Sequence, residues 1–226
     1  MATFQTRIEA LTGLTFTTTS TPTLEELGQF LVDGVLDFQS KYLNVFPGES
    51  PKFARETAVT RSQGLDLNGA NVLTVLRESG ADGDFRVCRL AFPGMESMLQ
   101  DKHSIHYASK INPAYIQIGD AINVYPAPSA ADGDGYKAYY VNDTPVNASA
   151  ATLSATDSNI EYFPNNKEQF IVLYAAAESL KAKMLDYTIE EEDSELMQSL
   201  AANLQLIQQQ YYENIMPASG GQKEWR

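Results

Sequence analysis

Two copies of the tetrapeptide Ala-Asp-Gly-Asp, at residues 81–84 and 131–134, place carboxylates two positions apart beside a glycine. Spacing of that kind can open a calcium loop, in which alternate side chains turn their oxygens onto one ion. Such a loop also needs further oxygen ligands and a bidentate acid downstream. The run "DGDGYKAYYV" that contains Asp132 and Asp134 offers neither. Asp-Gly is also the favoured pair where both central residues of a turn take positive φ, so the tetrapeptides read as punctuation between strands.

Other groups with chemical potential are equally short of partners. His103 and His106 in "HSIH" could place two imidazoles on one helical face, but a metal needs a third and a fourth ligand, and "DKHSIHYASK" reads as exposed loop or edge strand. Cys88 is the single cysteine; it lies in the strand-like "DFRVCRLAF" and reads as a small buried apolar group. Glu190, Glu191, Glu192 and Asp193 are adjacent at a helix boundary, where solvated acids favour the start of the next helix. Tyr115, Tyr125, Tyr136, Tyr139 and Tyr140 could stack on sugars or bases, yet tyrosine is an ordinary strand residue and core or interface is the better reading. The sequence holds no nucleophile elbow, phosphate-binding glycine loop or dinucleotide fingerprint. It points to no enzyme, no cofactor and no metal centre.

The 226 residues carry 16 basic and 29 acidic side chains, a net charge of −13. That surplus opposes binding to nucleic acid through neutralised phosphates, while suiting a surface that DNA slides past. No stretch approaches the roughly 18 apolar residues of a membrane span. The first residues lack a basic segment leading into an apolar signal core, so folding in a reducing cytoplasm is expected.

The elements that must position these residues follow from periodicity. In "TPTLEELGQFLVDGVLDFQSKYL", Thr23 and Glu26 have the spacing of a capping box, and Leu24, Leu27, Phe30, Leu31, Val35, Phe38 and Tyr42 make one apolar stripe. From residue 52 the period changes to two. "ANVLTVLRE", "DFRVCRLAF", "YIQIGDAINVYP" and "YKAYYV" predict a mostly antiparallel β-domain of four to six strands, with a II′ hairpin at Gly119-Asp120 and a helical turn near "GMESMLQD". Helical spacing returns in "PNNKEQFIVLYAAAESLKAKMLDYTI", capped by Asn165 or Asn166, and continues after the acids through Leu196, Leu200, Leu204, Ile207, Tyr211 and Ile215. Pro217 ends that helix, and an extended tail follows. The fold class expected is α+β: a helical bundle over residues 1–46 and 160–216, an inserted β-domain over 52–145 and a tail over 217–226.

This pattern resembles the head-to-tail adaptor (connector) proteins of tailed bacteriophages. "TLEELGQFLVDGVLDFQSKYL", "NPAYIQIGDAINVYPAP", "YKAYYVNDTP" and above all "EQFIVLYAAAESLKAKMLDYTIEEEDSEL" carry the likeness over nearly the whole chain. The departure is a β-domain fuller than in the simplest adaptors. The resemblance implies a homo-oligomeric ring, usually dodecameric, assembled in the host cytoplasm and placed in the virion between the portal protein and a tail-tube or nozzle protein. Genomic DNA passes through such a ring without specific binding, and no membrane is involved. It also implies a tail that docks on the portal, here through Pro217, Lys223, Trp225 and Arg226. The β-domain loops, here with Asp82, Asp84, Asp132, Asp134 and Tyr136, would face the next tail component. A head-closure or tail-terminator protein and a carbohydrate-binding module are the alternatives.

Overall fold

The computed structural model describes residues 2–190 and 194–215. In chain order it runs through α1 (Phe4–Thr12), α2 (Leu24–Val45), β1 (Ala54–Glu56), β2 (Leu65–Asp66), β3 (Asn71–Glu78), β4 (Phe85–Val87) and β5 (Arg89–Leu90). There follow α3 (Glu96–Gln100), β6 (Ala114–Ile118), β7 (Ala121–Tyr125), β8 (Tyr136–Val141), α4 (Glu168–Glu190) and α5 (Ser194–Ile215). The class is α+β. Contacts divide the chain into two compact units, Met1–Lys52 with Thr144–Arg226, and Phe53–Asp143.

In the first unit, α2 starts on the capping box read from the sequence. Thr23 Oγ1 accepts the Glu26 amide at 3.2 Å, and Glu26 Oε2 accepts the Thr23 amide at 2.7 Å. Leu27, Leu31, Val35, Phe38 and Tyr42 turn inward from it, and α4 packs against α1, α2 and α5. Gly34 has a reason to interrupt this helix: a Cβ there would lie 3.0 Å from the Tyr174 ring, so glycine admits α4 closely. The N-terminal segment, amphipathic in sequence, is the helix α1, capped by Thr3 and closed by Gly13 at φ 71°. Residues 144–159 belong to this unit, where the Ala155 and Asp157 carbonyls accept the Gln5 and Phe4 amides.

The start of α4 differs from expectation. No asparagine caps it; Pro164 and a 3₁₀ turn over Asn165–Lys167 lead into the helix instead. The buried Glu168 carboxylate then accepts the Ile160 amide and pairs with Arg7, each at 3.2 Å.

A polar clasp joins α2 to α5. The buried Tyr211 hydroxyl donates to Asp37 Oδ2 at 2.6 Å, and Lys41 pairs with the same oxygen at 2.8 Å while lying over the Tyr211 ring. Burial and then the bond to Asp37 push the Tyr211 hydroxyl far above its ordinary value, so it stays a donor. Tyr211→Phe is expected to lower the stability of this unit by about 1.5–3 kcal/mol, the range for a hydrogen bond to a charged group. A urea midpoint that falls with an unchanged slope would record it.

The second unit holds two four-stranded sheets, with orders β1-β8-β3-β4 and β2-β7-β6-β5. Every pairing is antiparallel except the parallel β5/β6. Eight strands replace the four to six expected. The surplus comes from strands of two or three residues, too short to show a period, and from one predicted strand that divides. "DFRVCRLAF" pairs with β3 as far as Cys88, whose amide donates to Val75, and then with β6, the Arg89 amide donating to Pro113. The chain thus passes from one sheet to the other at Cys88. The thiol is buried against Val75, Tyr115, Val124 and Tyr136, and burial pushes its pKa up to about 12. The Gly119-Asp120 hairpin forms between Ile118 and Ala121 with positive φ at Gly119 alone, as a II′ turn requires.

Candidate functional site

The two Ala-Asp-Gly-Asp turns, fifty residues apart, meet at one end of the β-unit. β3 and β8 pair antiparallel, which brings the turn after β3 beside the turn before β8. The Gly80 amide donates to the Gly133 carbonyl at 3.0 Å, and the Glu78 amide to the Gly135 carbonyl at 2.8 Å. In both turns positive φ falls on the glycine, 77° at Gly83 and 74° at Gly133, and not on the preceding aspartate. The two-residue positive-φ turn expected from Asp-Gly is therefore replaced by one with a single left-handed residue.

Beneath the turns lies a buried polar network that begins with consecutive charged residues on β3, Arg77 and Glu78. Arg77 Nη2 donates to Asp134 Oδ1 at 2.6 Å, Nη1 to the Glu78 carbonyl at 2.6 Å, and Nε to the Pro126 carbonyl at 2.9 Å. Lys110 reaches the same Asp134 oxygen at 2.8 Å, and the Ser129 hydroxyl donates to Oδ2 at 2.5 Å. Glu78 accepts the Gly135 amide at 2.6 Å and the Gly83 amide at 3.2 Å, so one carboxylate holds both turns.

Burial alone would raise the Asp134 carboxyl, but hydrogen bonds from Lys110, Ser129 and Arg77 outweigh it and hold the group well below the usual carboxylate range. Glu78 is lowered in the same way: burial opposes, and the amides of Gly135 and Gly83 prevail. A carboxylate this firmly ionised, beside a permanent guanidinium, is a poor proton carrier near neutral pH. The Ser129 hydroxyl donates to Asp134, but a carboxylate held this far below the usual range is too weak a base to activate it. The arrangement is a clamp that fixes two loops, not a catalytic constellation. Among the described residues no group of three His, Cys, Asp or Glu could hold a metal ion.

The residues expected to face a tail component differ in exposure. Asp82 and Asp132 are exposed, and Asp132 pairs with Arg61 at 2.9 Å. Asp84 is half-buried and accepts from Ser79 and Arg86. Asp134 and Tyr136 correct the expectation: both are buried and present no surface to a partner. The Tyr136 hydroxyl donates to the Ile122 carbonyl and accepts the Leu65 amide, locking β8 onto β7 and β2. Tyr115 and Tyr125 are buried as well. Pro217, Lys223, Trp225 and Arg226 lie outside the described residues, as do Glu191, Glu192 and Asp193. Sequence reasoning missed Arg77, Glu78 and Lys110. The one available signal was the charged pair closing the apolar alternation of "NVLTVLRE".

Each unit also holds a concavity. In the helical unit, residues 159–165 and Lys52 line an open groove of about 510 Å³, with Lys52 held by Glu49. In the β-unit, Leu99, Tyr107, Tyr125 and Pro126 line a smaller one of about 280 Å³. There the Tyr125 hydroxyl, pushed up to about 12 by burial and then by its bond to Glu96, donates at 2.7 Å. His103 and His106 sit in turns outside both linings. No helix among the described residues is long and apolar enough to cross a membrane. Compared with known proteins, the chain matches no family model and no curated protein.

Proposed function

We propose that the chain is a structural protein of the neck of a tailed-bacteriophage particle, an adaptor ring between the portal and the tail tube or nozzle. The observation that carries the reading is the insertion of the β-unit, Phe53–Asp143, between α2 and α4, two helices that pack on each other. That is the layout implied by the resemblance in "EQFIVLYAAAESLKAKMLDYTIEEEDSEL", the run that forms α4 and leads into α5. In this reading α2, α4 and α5 form a helical bundle that stands beside its neighbours in the ring. Pro217, Lys223, Trp225 and Arg226 reach the portal, since Trp and Arg are frequent interface anchors. The exposed acids Asp82 and Asp132, with Asp84 beside them, face the next tail component. The net charge of −13 lets DNA pass without sticking.

Quantitative mass spectrometry of purified virus particles tests the proposal by scaling this chain against the portal protein. The expected result is a copy number equal to that of the portal, one ring's worth. Absence from particles overturns the reading.

A further inference from the structure

Within the helical unit, α5 ends close to the groove lined by Lys52 and residues 159–165. Gly34 of α2 faces the Tyr174 ring and Phe38 stacks on Phe170, so α2 and α4 run antiparallel. α5 returns along α4 in the same sense as α2: the Tyr211 ring meets Tyr174, and its hydroxyl bonds Asp37. One turn beyond Tyr211, the buried Ile215 therefore stands about level with Phe170. The axis of α5 at Ile215 points past the start of α4 towards Phe163 and Pro164 of the groove lining. Phe163 belongs to the same end of the bundle, its ring centroid 5.6 Å from that of Phe38.

The groove has the marks of a clasp. Tyr162, in its lining, stands at φ 55°, a left-handed backbone that costs a residue other than glycine about 1–2 kcal/mol, and its side chain is exposed. Strain of this kind gathers where a ligand is held. Length and charge select the occupant. Residues 216–226, "MPASGGQKEWR", follow Ile215 and lie outside the described residues. The stretch from Ile215 to Trp225 can span about 33 Å, against about 8–10 Å between the axes of packed helices. It ends in the only tryptophan of the sequence, flanked by Lys223 and Arg226. Residues 216–226 hold two basic side chains against one acid, whereas the rest of the helical unit holds six basic against seventeen acidic. Attraction to that unit, and to Glu161 in the groove itself, follows. A segment tethered this closely is present at roughly millimolar effective concentration, so an intrinsic Kd of only about 0.1 mM keeps it bound about nine times in ten.

We propose that residues 216–226 fold back into the groove of their own chain, the Trp225 ring against Tyr162 and Pro164 and the basic side chains towards Glu161. The groove then holds the segment in reserve, and any partner that takes Trp225 must first displace it. In the neck reading that partner is the portal, which competes with the groove for the same side chain. The fold-back concerns the isolated chain and does not depend on that reading. Fluorescence of the purified protein tests the one, particle copy number the other, and either can fail alone.

The experiment is acrylamide quenching of tryptophan fluorescence on the full chain, in which Trp225 is the only emitter of its kind. The quenching constant is expected several-fold below that of the same chain in urea, and unchanged on dilution because the contact lies within one molecule. Tyr162→Asn removes the ring while supplying a residue that accepts positive φ, so circular dichroism should show an unchanged fold and quenching should rise towards the value in urea. A photoreactive side chain at position 162 should cross-link to residues 216–226 of the same chain, a readout that holds even if Tyr162→Asn disturbs folding. Quenching as strong as in urea overturns the proposal. So does shielding that fades on dilution, shielding untouched in a folded Tyr162→Asn chain, or cross-linking that never reaches residues 216–226.

Discussion

Gly133→Ala should destabilise the β-unit by about 3–5 kcal/mol, more than most single changes in a domain of this kind. Gly133 stands at φ 74°, where a side chain adds about 1–2 kcal/mol of strain. The larger part comes from space. A Cβ at this position would lie 2.7 Å from the Gly80 carbonyl carbon and 2.8 Å from both the Ala81 amide nitrogen and carbonyl carbon. Those are backbone atoms of the facing turn, and they cannot swing aside as a side chain can. Relief would require the turns to part, breaking the Gly80 to Gly133 bond and pulling Glu78 from one of its two amides. Gly83→Ala is the internal comparison. Its φ of 77° is equally unfavourable, but nothing lies within 4 Å of the added atom, so only the strain remains. Hydrogen exchange should rise in β3 and β8 for the Gly133 variant and barely change for the other.

Asp134→Leu is expected to cost about 3–5 kcal/mol, because it leaves Arg77, fully buried, without its countercharge. Pairing this charge also makes the unit sensitive to acid. Asp134 titrates far lower in the folded chain than the roughly 3.9 of an unfolded aspartate, and Glu78 is displaced in the same direction. Carboxyls lowered by folding contribute fully above their unfolded values, and the contribution drains away as pH falls towards the folded ones. The unit should therefore lose stability steadily below about pH 4, where an unfolded aspartate starts to take up its proton. In Asp134→Asn the slope should be shallower, so that the gap between variant and parent narrows as the solution is acidified. Urea midpoints measured at intervals from neutral to strongly acidic pH would show it. A gap that stays constant would mean that the carboxylate's charge contributes nothing there.

The reading from sequence succeeded where information is local. A capping box sits within four residues, an apolar stripe repeats every turn, and a glycine in a two-residue hairpin declares its own φ, so α2, the β6/β7 hairpin and the two final helices were legible. It failed where the deciding partner is distant. Asp84 and Asp134 close identical tetrapeptides, yet one meets Ser79 and Arg86 at half exposure and the other is sealed against Arg77 and Lys110. Nothing in the four residues distinguishes them. Arg77 and Asp134 are separated by 57 positions, and only the β3/β8 register brings them together. The division of one predicted strand at Cys88 is a further case, since a strand that changes sheets keeps its apolar content and alters only its neighbours.

The pairing of β1 with β8 bears on how such a chain could change over time. Ala54 and Val141 are ladder partners, so the polypeptide enters and leaves the β-unit at adjacent points of one sheet, about 5 Å apart. To the helices on either side, the whole excursion from 53 to 143 is therefore no wider than a tight loop. Lengthening, trimming or exchanging what lies beyond that gateway asks nothing of the flanking chain. One helical chassis could in this way carry heads of different size, each suited to a different neighbour, without redesign of the part that bears them.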